Sequence, residues 1–207
     1  MSILNRTLGP VLFPSILWHS TEQSVHMTFD DGPHPVATPK VLDILRKRDI
    51  KATFFLIGTH VAQYPELVQQ IMREGHSIGN HTYSHPMLFL KPKKLQATQI
   101  EKTDNLIAHL VGTRPPYFRP PYGYFDHNTM KVAQESNHKF VMWDVDSRDF
   151  DTHPISAIAE RVGKQATHGS IILFHDNHST EQKIDSLLDR ILDQLEERGF
   201  TFSPLPA

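Results

Sequence analysis

The chain has 207 residues, 39% hydrophobic and 21% charged, which are the proportions of a globular protein with one sizeable core and not of a disordered tail. A formal net charge of −2 with scattered Lys and Arg supplies no basic field, so nucleic acid is not an expected partner. With no cysteine, disulfides, thiolate ligands and a cysteine nucleophile are excluded, and any metal must be held by His, Asp or Glu.

In chain order, the apolar stretch at residues 8–18 is too short to span a bilayer, carries Pro10 and Pro14, and shows no small-residue cleavage site. It is expected to belong to an N-terminal arm, residues 1–24, that packs on a domain of residues 25–207. Residues 25–29 read as a strand and 38–49 as a helix with Val41, Leu42, Ile44 and Leu45 on one face. A second strand is expected at 51–57, a helix at 61–73 ended by Gly75, and a brief strand at 76–79. Pro92 and Gly112 bracket the next helix, whereas 114–122 is too rich in proline for one.

A helix at 126–134, a strand at 139–145, a helix at 154–167 and a strand at 170–174 follow. In the last helix Ile184, Leu187, Leu188, Ile191, Leu192 and Leu195 repeat at the spacing of one buried face, and a short strand at 200–202 closes the chain. Strands alternating with helices imply a mainly parallel sheet covered by helices, as an open doubly wound sheet or a closed barrel. In both, the active site lies beyond the carboxyl ends of the strands.

Four polar clusters fall just past strands: Asp30 with Asp31, His81 with His85, Asp146 with Asp149, and His175 with Asp176. The topology sends all four to one face, where buried carboxylates and imidazoles need a metal, a proton or a partner. After Asp30 and Asp31, Gly32-Pro33 turns the chain, which can aim both carboxylates inward, although in isolation the segment reads as a polar turn capping a helix. His81 and His85 are four apart, so a single helical turn, stopped by Pro86, would set both at chelating distance. Joined by Asp31 they form a two-His, one-carboxylate set with an open position for water on zinc or a similar ion. His175 taken alone is equally a satisfied histidine at a strand end. Arg119 sits in a stiff proline turn and is expected to form an ion pair, with Asp30 as its partner.

Together these segments resemble the NodB-type polysaccharide deacetylases, carbohydrate esterase family four. Five motifs appear in family order: Thr-Phe-Asp-Asp-Gly-Pro at 28–33, His-Thr-Tyr-Ser-His at 81–85, Arg-Pro-Pro-Tyr-Gly at 119–123, Asp-Ser-Arg-Asp-Phe at 146–150 and Leu-Phe-His-Asp at 173–176. The resemblance implies an α/β fold, an irregular (β/α) barrel of about seven strand-helix units, and so favours the barrel over the open sheet. It implies a metal-dependent hydrolase that removes N-acetyl groups from an N-acetylglucosamine glycan: peptidoglycan, chitin or an oligosaccharide.

On the family pattern Asp31, His81 and His85 hold one divalent ion, zinc foremost, with cobalt or another divalent ion as alternates. Asp30 is then the base on the metal-bound water and is held by Arg119. The Tyr122 backbone N–H receives the oxyanion, and Leu173 lines the pocket for the acetyl methyl. His175 protonates the leaving amine, oriented by Asp149. One departure stands out: Phe150 occupies the place of the family's usual Trp, a smaller ring without an N–H, which bears on pocket shape and substrate choice.

The competing readings are an O-acetyl esterase on a xylan-type polysaccharide, a deacylase of a non-sugar amide, and a silent sugar-binding module; the last predicts loss of a ligand or of Asp30, and none is lost. Tyr83, Phe89, Tyr124 and Trp143 are aromatic candidates for stacking on sugar rings, with a place in the core as the alternative. The choice of glycan, the oligomeric state and the compartment are not specified by these residues.

Overall fold

Strands joined through helices have to run the same way, because the crossover returns the chain to its starting end. The computed structural model, which describes residues 8–206, follows this rule throughout. Its strands are β1 (His26–Asp30), β2 (Thr53–Leu56), β3 (Ser77–Asn80), β4 (Tyr117–Phe118), β5 (Lys139–Phe140), β6 (Val145–Asp146) and β7 (Ile171–His175). All pair in parallel, in the order β5-β4-β3-β2-β1-β7-β6. The sheet curls into the expected irregular barrel and stays open between β5 and β6.

The helices are α1 (Gly9–Leu12), α2 (Ala37–Lys47), α3 (Gly58–Gln63), α4 (Pro65–Arg73), α5 (Lys93–Val111), α6 (His127–Glu135), α7 (Ile155–Gln165) and α8 (Ile184–Glu197). None is long and apolar enough to cross a membrane. The apolar face expected of the last helix is buried in full: Ile184, Leu187, Leu188, Ile191, Leu192 and Leu195. They pack with Met27, Phe29, Ile172 and Phe174, the residues of β1 and β7 that point outward to the helices. Alternate residues point inward. His26, Thr28 and Asp30 therefore line the interior beside their register partners Ile171, Leu173 and His175.

A second core fills the interior with Phe55, Phe118, Met142, Trp143 and Leu173, and it takes in Ile16 and Trp18 from the segment before β1. The rest of the expected arm, residues 1–7, lies outside the described residues, as does residue 207.

The chain departs from the sequence reading at three places in the fold. The helix expected over 61–73 is two helices, because Tyr64 precedes Pro65 and takes an extended φ of −130°, which breaks the ladder. The strand expected over 139–145 is β5 and β6, on opposite edges of the sheet. Between them residues 141–144 cross the open side of the barrel, where Val141 bridges to Leu17. The closing strand at 200–202 reduces to one bridge between Val25 and Phe202.

Candidate active site

The end of β1 sets the site. Asp30 is its last residue, and its carboxylate accepts a hydrogen bond from Arg119 Nη1 at 2.7 Å. Arg119 is fully buried inside the barrel. Its guanidinium lies 4.1 Å from the centroid of the Phe55 ring, and it also donates to Thr28 Oγ1 at 2.9 Å and to the Met142 carbonyl at 3.0 Å. The ion pair expected from the proline turn is thus present, and it also ties the crossing at 141–144 to β1. Burial lowers the guanidinium pKa, an effect the charge and hydrogen bond of Asp30 oppose.

Asp31 turns the chain with a φ of +77°, a left-handed conformation that suits Asp better than most side chains. This is how two adjacent carboxylates face the same cleft. The next residue has to be small, since a Cβ on Gly32 would collide with the buried Asp176 carboxyl. Asp176 therefore lies beneath the turn, bonded to Thr38, and does not open on the cleft. Burial pushes its pKa well above the usual carboxylate range. Asp31 Oδ2 accepts from Asn177 Nδ2 at 2.8 Å. Asp31 Oδ1 faces His85 Nε2 at 3.1 Å and His81 Nε2 at 3.5 Å, buried and with no aligned hydrogen bond. Burial alone would raise the Asp31 carboxyl, but His85, His81 and His175 hold it well below the usual range.

His81 and His85 are not on the helical turn expected of them. Residues 81–85 form a loop in which Thr82 and His85 have φ of +68° and +55°, and this irregular path brings the two rings to a centroid distance of 5.0 Å. The nearly buried His81 donates from Nδ1 to the Arg119 carbonyl at 2.7 Å, which leaves the Nε2 lone pair turned toward Asp31. Burial lowers the His81 pKa and so favours the neutral form that coordinates metals. Tyr122, at φ +60° in the turn Pro121–Gly123, sets its ring edge-on to His85 at 4.6 Å.

On the other wall His175 ends β7 in register with Asp30 on β1. Its Nδ1 donates to Asp149 Oδ1 at 2.7 Å, and its backbone N–H donates to Asp149 Oδ2 at 2.7 Å. Burial would lower the imidazole pKa, but the charge and hydrogen bond of Asp149 outweigh it and raise it to about 10. This favours the protonated ring at neutral pH.

These groups share one cavity of about 430 Å³, with Asp30, Asp31, His81, His85 and His175 on its polar side. Tyr124, Trp143, Phe150 and Leu173 line its apolar side, and Phe150 packs edge-on to His175 at 5.5 Å. Asp146 also lines the cavity, and burial raises its pKa. Of the stacking candidates, Tyr124 and Trp143 reach this cavity. Tyr83 lies beneath the Lys102 ammonium, and Phe89 is exposed elsewhere. Asn177 is a cavity residue the sequence reading missed; its only signal is its place one residue past the His175-Asp176 pair.

A second cavity, about 880 Å³ between the N-terminal segment and α6, gathers no comparable set; its one buried imidazole, His138, is engaged by Asp104. His34, His178 and Glu181 also come together at the surface. There His34 Nδ1 accepts from the backbone N–H groups of Val36 and Ala37, so its proton resides on Nε2, the nitrogen turned toward Glu181. A nitrogen that keeps its proton is not a metal ligand.

The description of polysaccharide deacetylases as a family matches residues 19–141. A peptidoglycan-N-acetylglucosamine deacetylase of Bacillus cereus is 40% identical over 185 residues, covering 88% of this chain and 67% of its own. A chitooligosaccharide deacetylase of Azorhizobium caulinodans is 34% identical and covers 89% and 94%. The crystal structure of the Bc1960 peptidoglycan N-acetylglucosamine deacetylase superposes with a TM-score of 0.89 at 38% identity, over 93% of this chain and 91% of that one. Motifs, barrel and relatives agree: the chain belongs to the polysaccharide deacetylases, the NodB-type carbohydrate esterases of family four.

Proposed function

We propose that this chain hydrolyses the N-acetyl group of N-acetylglucosamine residues in a glycan, with Asp31, His81 and His85 holding a divalent ion. The observation that carries the reading is the pairing of Asp30 with His175 at the ends of adjacent strands, in one cavity with that ligand set. In-register residues of neighbouring parallel strands lie roughly 4.8 Å apart and point the same way, so both reach one reacting group. The donor set fits zinc: two imidazole nitrogens and one carboxylate oxygen lie within 4.8 Å of one another, and the carboxylate oxygen is buried without a hydrogen bond. When bound, such an ion activates water at neutral pH and polarises the acetyl carbonyl.

The side chains supply the rest. Asp30, fixed by Arg119, takes a proton as water adds to the carbonyl carbon. The Tyr122 backbone N–H holds the oxyanion that results. His175, protonated and aimed by Asp149, gives its proton to the sugar nitrogen as the carbon–nitrogen bond breaks, so acetate and a free amine leave. Leu173 and Phe150 wall the acetyl methyl. A planar phenyl ring in place of the usual indole keeps this wall apolar and widens it.

The test is acetate release from an N-acetylated chitooligosaccharide and from N-acetylated peptidoglycan, with zinc added back after chelation. Zinc content is expected to fall together with activity in His81→Ala and His85→Ala. Asp30→Asn is expected to keep its zinc and lose about 10²- to 10⁴-fold in kcat. A full equivalent of zinc in both histidine variants would falsify the ligand assignment.

A further inference from the structure

The loop that carries His81 and His85 has an irregular backbone, and such a path persists only where its surroundings impose it. The impositions come from two helices. At the N-terminus of α3, the Gly58 and Thr59 N–H groups donate to the Thr82 and Tyr83 carbonyls at 2.9 and 2.8 Å. The approach is close: a Cβ on Gly58 would lie 2.6 Å from Thr103 Oγ1 and 2.7 Å from the Tyr83 ring. On the opposite side, Gln99 Oε1 of α5 accepts from both the Tyr83 and Ser84 N–H groups, at 3.0 and 2.9 Å, and Gln99 Nε2 donates to Ser84 Oγ at 3.2 Å.

One helical turn further along α5 the start of the loop is held through Asn80. The Asn80 side chain is buried; its Oδ1 accepts from the Thr82 N–H at 2.8 Å, and its Nδ2 donates to the Ile100 carbonyl at 2.8 Å and to Asp104 Oδ1 at 2.7 Å. Asp104 is fully buried, and its other oxygen accepts from His138 Nε2 at 3.0 Å. An amide whose oxygen and nitrogen are both committed has one orientation, so Asp104 and His138 determine where Asn80 points. None of these groups opens on the cleft. A carboxylate buried in a helix loses its hydration, and the hydrogen bonds from Asn80 and His138 replace it.

We propose that Gln99 and Asp104, the latter locked by His138, are positioning residues of the deacetylation site: they set the backbone course from Asn80 to Ser84 and through it the spacing of the two histidines. The inference rests on the proposed ligand role of His81 and His85. Partners outside the ligand set that orient metal-binding side chains are worth about 10- to 100-fold in metal affinity or activity. Gln99 acts on the loop backbone and leaves the substrate surfaces alone, so its loss falls on kcat and on metal affinity and not on KM.

The experiment measures the zinc dissociation constant by competition with a chromophoric chelator, together with kcat and KM on a chitooligosaccharide and the thermal unfolding midpoint. The proteins are wild type, Gln99→Ala, Gln99→Glu and Asp104→Asn. Gln99→Ala is expected to bind zinc about 10-fold more weakly and to lose kcat by a similar factor, with KM held within about twofold. Gln99→Glu keeps the oxygen that accepts both N–H groups and is expected to restore most of each loss. Asp104→Asn still accepts from Asn80, but its amide nitrogen meets His138 Nε2, and a smaller loss of the same kind is expected. Wild-type zinc affinity and kcat in Gln99→Ala, or a change confined to the unfolding midpoint, overturns the proposal alone. A wild-type chain that neither binds zinc nor releases acetate overturns the ligand reading and this proposal with it.

Discussion

Two imidazole–carboxylate pairs lie in the same barrel and differ in which ring nitrogen meets the acid. His175 gives Nδ1 to Asp149, and its Nε2 is left on the side of the cleft it lines. His138 gives Nε2 to Asp104, and its Nδ1 is buried with no partner among the described residues. The carboxylate in each case is fully buried, and the separations are 2.7 and 3.0 Å. If His175 is the proposed acid, the position of the free nitrogen is what separates it from a brace. A proton on Nε2 of His175 can be given to a bound group; the proton on Nε2 of His138 is already spent on Asp104.

The sharpest way to break this comparison is to remove the first pair's imidazole. Expelling an amine from a tetrahedral intermediate requires its protonation, whereas a phenolate leaves an aryl ester unaided. His175→Ala is expected to lose roughly 10²-fold or more in kcat/KM on an N-acetylated oligosaccharide and distinctly less on an aryl acetate. Equal losses on both substrates would make His175 a support of the site like His138, and the distinction between the pairs would collapse.

The acid's carboxylate gives the next effect. Asp149 is the principal group that raises the His175 pKa to about 10, so on the proposed role the acid loses its proton only as the pH climbs toward that value. Activity should therefore fall on the alkaline side. A cation on Asp31 would offset one of the supporting negative charges and shift that limb toward acid. Asp149→Asn removes the main one, and the alkaline limb of kcat should move toward acid by about one to three pH units. A pH–rate profile for the two proteins reads the displacement directly, and an unmoved limb would assign it to a group other than His175.

How much of this was legible in the sequence depends on whether the cause was local. The apolar repeat of α8, the four clusters at strand ends and the turn at Gly32-Pro33 are local patterns, and the alternation of strands and helices implies a parallel sheet that leaves open sheet and barrel undecided. The five motifs carried the resemblance to the family. A spacing of four is helical by default, so 81–85 reads as a helical turn, yet its course is imposed by Gln99 on α5 and by Asn80, whose own partners lie on α5. Spacing along the chain does not register such partners. Likewise, residues 139–145 look like one strand of apolar side chains, but Arg119 takes the Met142 carbonyl and Leu17 pairs with Val141, which diverts the chain across the opening. No sequence pattern singles out Gln99 or Asp104, and only the packed structure shows Asp104 buried. Pro65 was the one missed break with a local signal.

The smallest effect is the most discriminating, because it asks each histidine for its hydrogen bond without its proton. The amide nitrogen of Gln mimics the reach of imidazole Nε2, and that of Asn mimics Nδ1. His138→Gln can still donate to Asp104, so the buried carboxylate keeps its partner and Asn80 its orientation; His175→Asn can still donate to Asp149 but carries no acidic proton at any accessible pH. Exchanging one neutral donor for another at His138 should cost about 1 kcal/mol or less in unfolding free energy, read by urea denaturation, whereas His175→Asn also gives up the charge that faces the buried Asp149 carboxylate and should cost more. His138→Gln is accordingly expected to keep kcat within about twofold of wild type, while His175→Asn, assayed below its own unfolding transition, should fall roughly 10²-fold on the amide substrate. Were His138→Gln to lose activity on the same scale while unfolding at the same urea concentration, the second pair would be moving a proton as well, and the rule that the free nitrogen separates acid from brace would fail.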